Sequence, residues 1–150
     1  YTIWRPFNII TPHEKGEDEQ GISHVFADFI KQLIVEKKNP LPIFGDGEQI
    51  RCFSWIEDVA NVIGKNSFNK ITNNKTYNVG NPEPITMKEL ANLIYQGKDE
   101  LKFITTKSFK DDVKIRIPDI SKAQKELNFN PTIKVKEAVK ICLEKAIKTV

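Results

Sequence analysis

The stretch from Pro42 to Asn66, PIFGDGEQIRCFSWIEDVANVIGKN, predicts a strand, a turn, a second strand and a helix in succession. Residues 42–44 are apolar and predict a short strand, and the Gly-Asp-Gly that follows them predicts a tight turn. Residues 50–56 predict the second strand. Residues 57–66 place apolar side chains at helical spacing. This succession indicates an α/β domain.

Segments on both sides continue the alternation. The apolar, β-prone run from Tyr1 to Ile10 predicts a strand. Because a strand cannot stand alone, its partners lie either later in the chain or upstream of Tyr1, and we favour the upstream position. The remaining predicted elements are helices over 22–34, 86–94, 119–127 and 135–147, and strands over 76–79 and 101–104. Thr86 and Glu89 form a predicted capping box at the start of one helix.

Composition narrows the class of protein. A chain of 150 residues with 39% hydrophobic residues and nine Phe fits one folded domain. It has no apolar run near the roughly 20 residues that span a bilayer. Two cysteines cannot make a disulfide framework, which predicts a cytoplasmic protein. The lysines behind the net charge of +3 are scattered, so we expect neither a nucleic-acid nor a membrane partner.

Arginine is rare enough in this sequence to be informative. Of the 23 basic residues only three are arginine, namely Arg5, Arg51 and Arg116. Where a lysine-rich chain uses arginine, a planar, bidentate donor for a carboxylate or phosphate is one explanation. The two histidines, His13 and His24, have no accompanying cluster at ligand spacing, so no metal site is predicted.

Five short stretches are weak signals singly and more specific in their order and spacing. They are RPFN at 5–8, PIFGDG at 42–47, QIRCF at 49–53, YNVGN at 77–81 and DVKIRIPDI at 112–120. Together they resemble the C-terminal half of the extended short-chain dehydrogenase/reductase family of NAD-dependent nucleotide-sugar epimerases and dehydratases. The tail from Pro118 to Ala123, PDISKA, looks most like UDP-glucuronate decarboxylases and UDP-glucose 4-epimerases.

The resemblance implies an α/β substrate domain over residues 1–150 that carries the last strands of a Rossmann sheet. In such enzymes NAD lies mainly on an N-terminal domain with a Gly-rich turn and a Tyr-x-x-x-Lys pair. Tyr1, Tyr77 and Tyr95 are the only tyrosines here, and none is followed by Lys at the fourth position. We therefore expect the NAD-binding part to be missing, the chain to be inactive alone, and the full enzyme to be a homo-oligomer that binds a UDP-sugar.

The same resemblance assigns part of the site to the first of these stretches and to residues 24–26. It implies that Pro6 and Phe7 lie against the nicotinamide of NAD, and that Asn8 hydrogen-bonds the substrate. Residues His24, Val25 and Phe26 match a segment that contacts the nucleotide. The family usually has Asn-x-Tyr-Gly-Pro where this chain has NIITP at 8–12, which changes the contacts expected there.

The rest of the implied site binds the nucleotide and the sugar. Pro42 and Phe44 match the segment that holds the uracil, and Arg51 matches the residue that clamps the diphosphate. Arg116 matches an arginine at the sugar end that acts as a proton donor or carboxylate partner, which makes it a candidate catalytic residue. Asp112 is a candidate contact to a ribose or sugar hydroxyl.

Two other classes of function remain open from the sequence. One is a stand-alone nucleotide-sugar-binding or assembly module without chemistry, which would lack an upstream Gly-rich turn and Tyr-x-x-x-Lys pair. The other is a basic nucleic-acid binder, whose DNA affinity would fall steeply with salt. The scattered lysines argue against the second.

Overall fold

The computed structural model describes residues 1–16, 24–107 and 112–147, and it has the predicted α/β character. The strands are β1 Thr2–Pro6, β2 Ile9–Ile10, β3 Leu41–Phe44, β4 Ile50–Cys52, β5 Ser54–Trp55, β6 Lys75–Val79, β7 Pro84–Thr86 and β8 Phe103–Thr106. The α-helices are α1 Val25–Ile30, α2 Ile56–Asn66, α3 Met87–Ile94, α4 Ser121–Leu127 and α5 Val135–Ile147. A π-helical turn, Lys31–Val35, extends α1, and a 3-10 turn covers Lys70–Thr72.

The first predicted strand is wrong in two respects, because it is broken and because it has a partner within the chain. β1 pairs in parallel with β6, from Thr2 opposite Lys75 to Pro6 opposite Val79. β2 pairs in parallel with β5 instead. The break lies at Phe7 and Asn8, where the chain leaves one neighbouring strand and joins another.

The second long strand predicted, residues 50–56, is also two strands rather than one. β4 pairs antiparallel with β7, which the sequence did not reveal, whereas β5 pairs with β2. Ile56 already belongs to α2. Phe53 separates the two strands and is buried in the main core. Both strands are short because the chain changes its pairing partner at Phe53, from β7 to β2.

The Gly-Asp-Gly turn is confirmed, and its glycines are required by backbone geometry. Gly45 and Gly47 have φ values of 63° and 75°, a region that residues with a Cβ rarely adopt. A Cβ on Gly47 would also lie 2.7 Å from Cδ1 of Ile43. β3 before this turn pairs in parallel with β8, which begins two residues later than predicted. Just before β8, the Lys102 amide donates to Asn39 Oδ1 at 2.9 Å.

Two hydrophobic clusters hold these elements together. The main cluster joins α1, α3, α5 and the strands β3 and β5. The second cluster packs α2 and α4 against β6, and its buried members are Val59, Val62, Tyr77, Val79, Ile120, Ala123 and Phe129. The predicted capping box is present, since Thr86 Oγ1 accepts from the Glu89 amide at 3.1 Å while Glu89 accepts from the Thr86 amide at 2.8 Å. Among the described residues, no helix is both long enough and apolar enough to cross a membrane.

Both cysteines are buried, which sets an expectation about their reactivity. Burial, followed by the negative charge of Glu83, raises the pKa of Cys52 to about 11. Burial raises the pKa of Cys142 to about 12 against a smaller lowering by Lys145. Because the thiolate is the reactive form, we expect neither thiol to react with a disulfide reagent at pH 8 in the folded protein.

The measurement is the thiol titre before and after unfolding in guanidinium chloride, which should release both thiols. The folded pKa values lie above those of the unfolded chain, so this contribution to stability is complete below roughly pH 8.5 and declines as the pH rises. Rapid reaction of either thiol in the folded protein would contradict the burial described here.

Candidate functional site

The ends of three strands meet where β1 breaks. The amide of Phe7 donates to the carbonyl of Val79 at 3.1 Å, which closes the β1–β6 pairing. The side-chain amide of Asn8 donates to the carbonyl of Cys52 at 2.9 Å, and the Asn8 carbonyl accepts from the Ser54 amide at 2.8 Å. Asn8 is thus held on both sides by the β4–β5 segment, which orients a residue predicted to contact substrate.

Ser54 is the residue at this junction that the sequence analysis missed. It is 1% exposed, and its Oγ donates to the Phe7 carbonyl at 2.8 Å while accepting from the Asn81 amide at 3.0 Å. Gly80 packs so closely that a Cβ there would lie 2.9 Å from Ser54 Oγ and 3.1 Å from the Phe7 Cβ. The one available signal was a small polar residue between Phe53 and Trp55, which gave no hint of its two partners.

The structure brings Arg51 and Asp112 into direct contact although 61 residues separate them in sequence. Arg51 Nη2 lies 2.5 Å from Asp112 Oδ1, and Arg51 Nη1 donates to the Ile50 carbonyl at 2.8 Å. The exposed fractions of the two side chains are 11% and 27%. A guanidinium in such a position can bind an anion through charge-assisted hydrogen bonds, so the role implied for Arg51 stays a prediction.

Arg116 lies beside the same strand. Residues 114–116 run parallel to β4, where the Ile50 amide donates to the Lys114 carbonyl at 2.8 Å and the Arg116 amide donates to the Ile50 carbonyl at 3.1 Å. Arg116 itself is exposed. This pairing places Arg116 beside β4, the strand whose Arg51 contacts Asp112.

Pro42 and Phe44 are half-buried residues on β3, and Phe44 is its last residue. The Phe44 carbonyl accepts from Gln49 Nε2 at 3.1 Å, which ties the end of β3 across the glycine turn to the residue before β4. The segment predicted to hold the base thus leads directly into the strand that carries Arg51.

The segment His24-Val25-Phe26 has a mixed placement. His24 is exposed and its Nδ1 lies 2.6 Å from Glu14 Oε1, beside a cavity of about 360 Å³. Val25 is half-buried, whereas Phe26 is 2% exposed in the main core. Phe26 also lines a cavity of about 580 Å³ between α1 and the end of α5. The Phe26 ring packs mainly against other side chains of the core. The contact of Phe26 with the nucleotide stays a prediction.

A metal site does not form among the residues described, since no three His, Cys, Asp or Glu side chains there are arranged to hold an ion. Within the described part of the chain, the main-chain junction at Asn8 and the strand edge at Arg51 each bring together several of the predicted residues.

Comparison with known proteins identifies the family of the chain. Residues 1–142 match the protein family described as GDP-mannose 4,6 dehydratase. The chain belongs to this family. It is thereby an extended short-chain dehydrogenase/reductase, and the resemblance seen in the sequence is confirmed.

The similar proteins act on nucleotide sugars. UDP-glucuronic acid decarboxylase 1 of Arabidopsis thaliana is 34% identical over 138 residues, covering 91% of this chain and 30% of that protein. UDP-glucuronate 4-epimerase of Thermodesulfobacterium geofontis is 36% identical over 115 residues, covering 75% of this chain and 34% of that protein. The chain therefore spans about a third of the length of these relatives.

Solved structures give the same result for the fold. UDP-glucuronic acid 4-epimerase from Bacillus cereus, in complex with UDP-glucuronic acid and NAD, superposes with a TM-score of 0.80 at 25% identity. The superposition covers 99% of this chain and 45% of the epimerase. The α/β fold of this chain thus corresponds to one part of an NAD-dependent epimerase.

Proposed function

We propose that this chain forms the nucleotide-sugar-binding part of an NAD-dependent epimerase, dehydratase or decarboxylase that acts on a UDP-sugar. The observation that carries the proposal is Arg51, a largely buried guanidinium held by Asp112 on a strand edge. A UDP-sugar has a diphosphate that a guanidinium fork can bind through two oxygens. Pro42 and Phe44 on the adjoining β3 would hold the uracil, and Asn8 the substrate.

The residues proposed to meet NAD fit an apolar, planar group. Pro6 is exposed and Phe7 half-buried, and both lie at the carboxyl end of the parallel pair β1–β6. Open parallel sheets bind cofactors outside the carboxyl ends of their strands. NAD would supply the hydride acceptor for oxidation of the sugar. The part played by this chain is to orient Phe7 and Asn8, whose carbonyls accept from the Oγ and the amide of Ser54, while Ser54 Oγ accepts from the Asn81 amide.

The acid–base step needs groups that these 150 residues do not supply in the expected pattern. None of the three tyrosines begins a Tyr-x-x-x-Lys pair. Arg116, exposed beside β4, stays a candidate proton donor or carboxylate partner for the sugar. We therefore propose that the 150-residue chain binds nucleotide but does not convert it. The cytoplasmic location and the homo-oligomeric state also stay predictions.

We expect the purified chain to bind UDP and UDP-glucuronic acid more tightly than GDP, and to convert neither UDP-glucuronic acid nor UDP-glucose in the presence of NAD. Isothermal titration calorimetry measures the binding, and product analysis by liquid chromatography measures turnover. The expected preference for UDP rests on the fit of uracil to residues 42–44.

Two results would contradict this proposal. Enzyme-dependent product from the pure chain would show that its own residues complete the acid–base chemistry. Equal affinity for UDP and GDP would remove the uracil assignment. Binding without turnover even in a protein that carries an upstream NAD-binding half would favour the alternative, a non-catalytic nucleotide-sugar-binding or assembly module.

A further inference from the structure

The cavity of about 580 Å³ between α1 and the end of α5 is not explained by the function proposed above. Its walls come from three segments: α1 with the π-helical turn that follows it, the last turns of α5, and residues 11–16. The third wall packs tightly onto the first, since a Cβ on Gly16 would lie 2.9 Å from both the Ala27 carbonyl oxygen and the Lys31 Cβ. Small-molecule sites usually have volumes of about 300–1,000 Å³, so this cavity is large enough for a ligand.

The helix that forms one wall widens at this cavity. The Glu36 amide donates to the Lys31 carbonyl at 2.9 Å, a bond between residues five apart rather than four. Such π-helical turns are rare and occur frequently at functional sites. This turn begins at Lys31 and ends at Val35, and both residues line the cavity. Val35 is 51% exposed, so the turn leaves a large apolar side chain partly in solvent at the cavity.

The lining has an apolar part and a basic part. The apolar side chains that the two helical walls contribute are Phe26, Ala27, Ile30, Val35, Cys142 and Ala146. The basic side chains come from all three walls and are His13, Lys15, Lys31 and Lys145. Among the described residues of the lining Glu14 is the only acid, and its Oε1 lies 2.6 Å from His24 Nδ1. A ligand that complements this lining has an apolar body and an anionic group.

Two of the lysines approach the cavity from different helices. Lys31 Nζ lies 3.8 Å from Glu36 Oε1, which is longer than a hydrogen bond. Lys145 Nζ lies 3.2 Å from both ring nitrogens of His13. An ammonium group has three donors, and a carboxylate bound here would accept charge-assisted hydrogen bonds from them. The bound anion would also reduce the repulsion between the cations around the cavity.

We propose that this cavity binds a small amphipathic carboxylate, whose apolar body packs between α1 and α5 and whose carboxylate contacts Lys31 and Lys145. Burial of the apolar body favours binding. The two lysines favour an anion over a neutral molecule of the same shape. This site goes beyond the nucleotide-binding function, since Arg51 and the strand that carries it take no part in it.

The test measures the binding of three probes to the purified chain by chemical-shift titration at fixed pH and ionic strength. Octanoate has both features of the ligand, octanol has only the apolar body, and acetate has only the anionic group. The proteins are the wild type, Lys31→Gln, Lys145→Gln, the double variant and the control Lys140→Gln. Lys140 is exposed on α5 and is not among the described residues that line the cavity, so the control removes the same charge elsewhere on that helix.

We expect octanoate to bind the wild type saturably and about tenfold or more tightly than octanol does. Each of Lys31→Gln and Lys145→Gln should weaken octanoate binding by about three- to tenfold, and the double variant should bring it close to that of octanol. Octanol affinity should hardly change in any variant. Lys140→Gln should leave octanoate affinity unchanged. Acetate should show no measurable binding, because it has too little apolar surface to bury.

Filling the cavity is a second measurement. Ala146 is half-buried near the end of α5 and lines the cavity, so phenylalanine at this position would occupy part of the apolar space. Ala146→Phe should weaken octanoate and octanol alike, by about tenfold or more. A thermal melt establishes whether this variant folds. If it does not fold, the lysine variants alone decide.

Three results would overturn the proposal. The first is no saturable binding of octanoate, or equal affinity of the wild type for octanoate and octanol. The second is a loss of octanoate affinity in Lys140→Gln as large as that in Lys145→Gln, which would show adsorption to a basic surface. The third is competition between UDP and octanoate, which would place octanoate in the nucleotide site. We expect saturating UDP to leave the octanoate affinity unchanged.

Discussion

Replacing Phe26 with alanine is expected to lower the free energy of unfolding by about 3–5 kcal/mol. Phe26 is 2% exposed and belongs to the main core, where α1 packs against α3. The truncation removes apolar contacts and leaves a cavity that the surrounding helices fill only in part. A domain with a total stability of roughly 5–15 kcal/mol would lose a large share of it. Guanidinium chloride unfolding followed by circular dichroism measures the change.

Val25 and a second Phe26 variant serve as controls. Val25 precedes Phe26 and is half-buried, so Val25→Ala should lower the free energy of unfolding by only about 1 kcal/mol. Phe26→Leu keeps most of the buried volume and should fold at nearly the wild-type stability. If that variant binds UDP normally, Phe26 acts through packing. If it binds UDP much more weakly while remaining stable, the ring contacts the nucleotide, as the family resemblance implies.

The sequence predicted the elements whose signals are local. The glycine turn at 45–47, the capping box at Thr86 and the helix Val135–Ile147 depend on residues a few positions apart, and all three are present. Strand pairing was not predictable in the same way. β1 pairs with β6 about seventy residues later, and nothing in either stretch states which strands are neighbours. The break at Phe7 and Asn8 follows from that pairing.

The candidate site shows the same division. Arginine in a lysine-rich chain pointed to Arg51, and the segment order pointed to Asp112. Their contact depends on residues 114–116 running beside β4, which is a non-local pairing. Ser54 was missed because its importance lies in two partners, Phe7 and Asn81, that only the folded chain brings to it. Residue types suggested the chemistry, and pairings that the sequence does not show determine which groups share a site.

Arg51→Ala is expected to weaken UDP binding by roughly ten- to a hundredfold. A charge-assisted, two-pronged contact to phosphate is worth on the order of 1.5–3 kcal/mol, and Arg51 is the arginine whose guanidinium the structure holds in place largely out of solvent. Arg51→Lys should recover only part of the loss, because an ammonium group cannot bind two oxygens as a planar fork does. Uridine has no phosphate, so its affinity should hardly change in either variant.

The titrations use UDP and uridine with the wild type and both variants, and a thermal melt of each protein establishes that it is folded. The melt matters because removing Arg51 leaves Asp112 without its cationic partner. That carboxylate is partly exposed and can be solvated, so we expect the fold to tolerate the change. Weakening of UDP and uridine by the same factor would indicate damage to the uracil segment rather than loss of a phosphate contact. Selective weakening of UDP in a folded Arg51→Ala protein would place the diphosphate at β4. Unchanged UDP affinity in both variants would make Arg51 a structural residue whose role is to anchor Asp112.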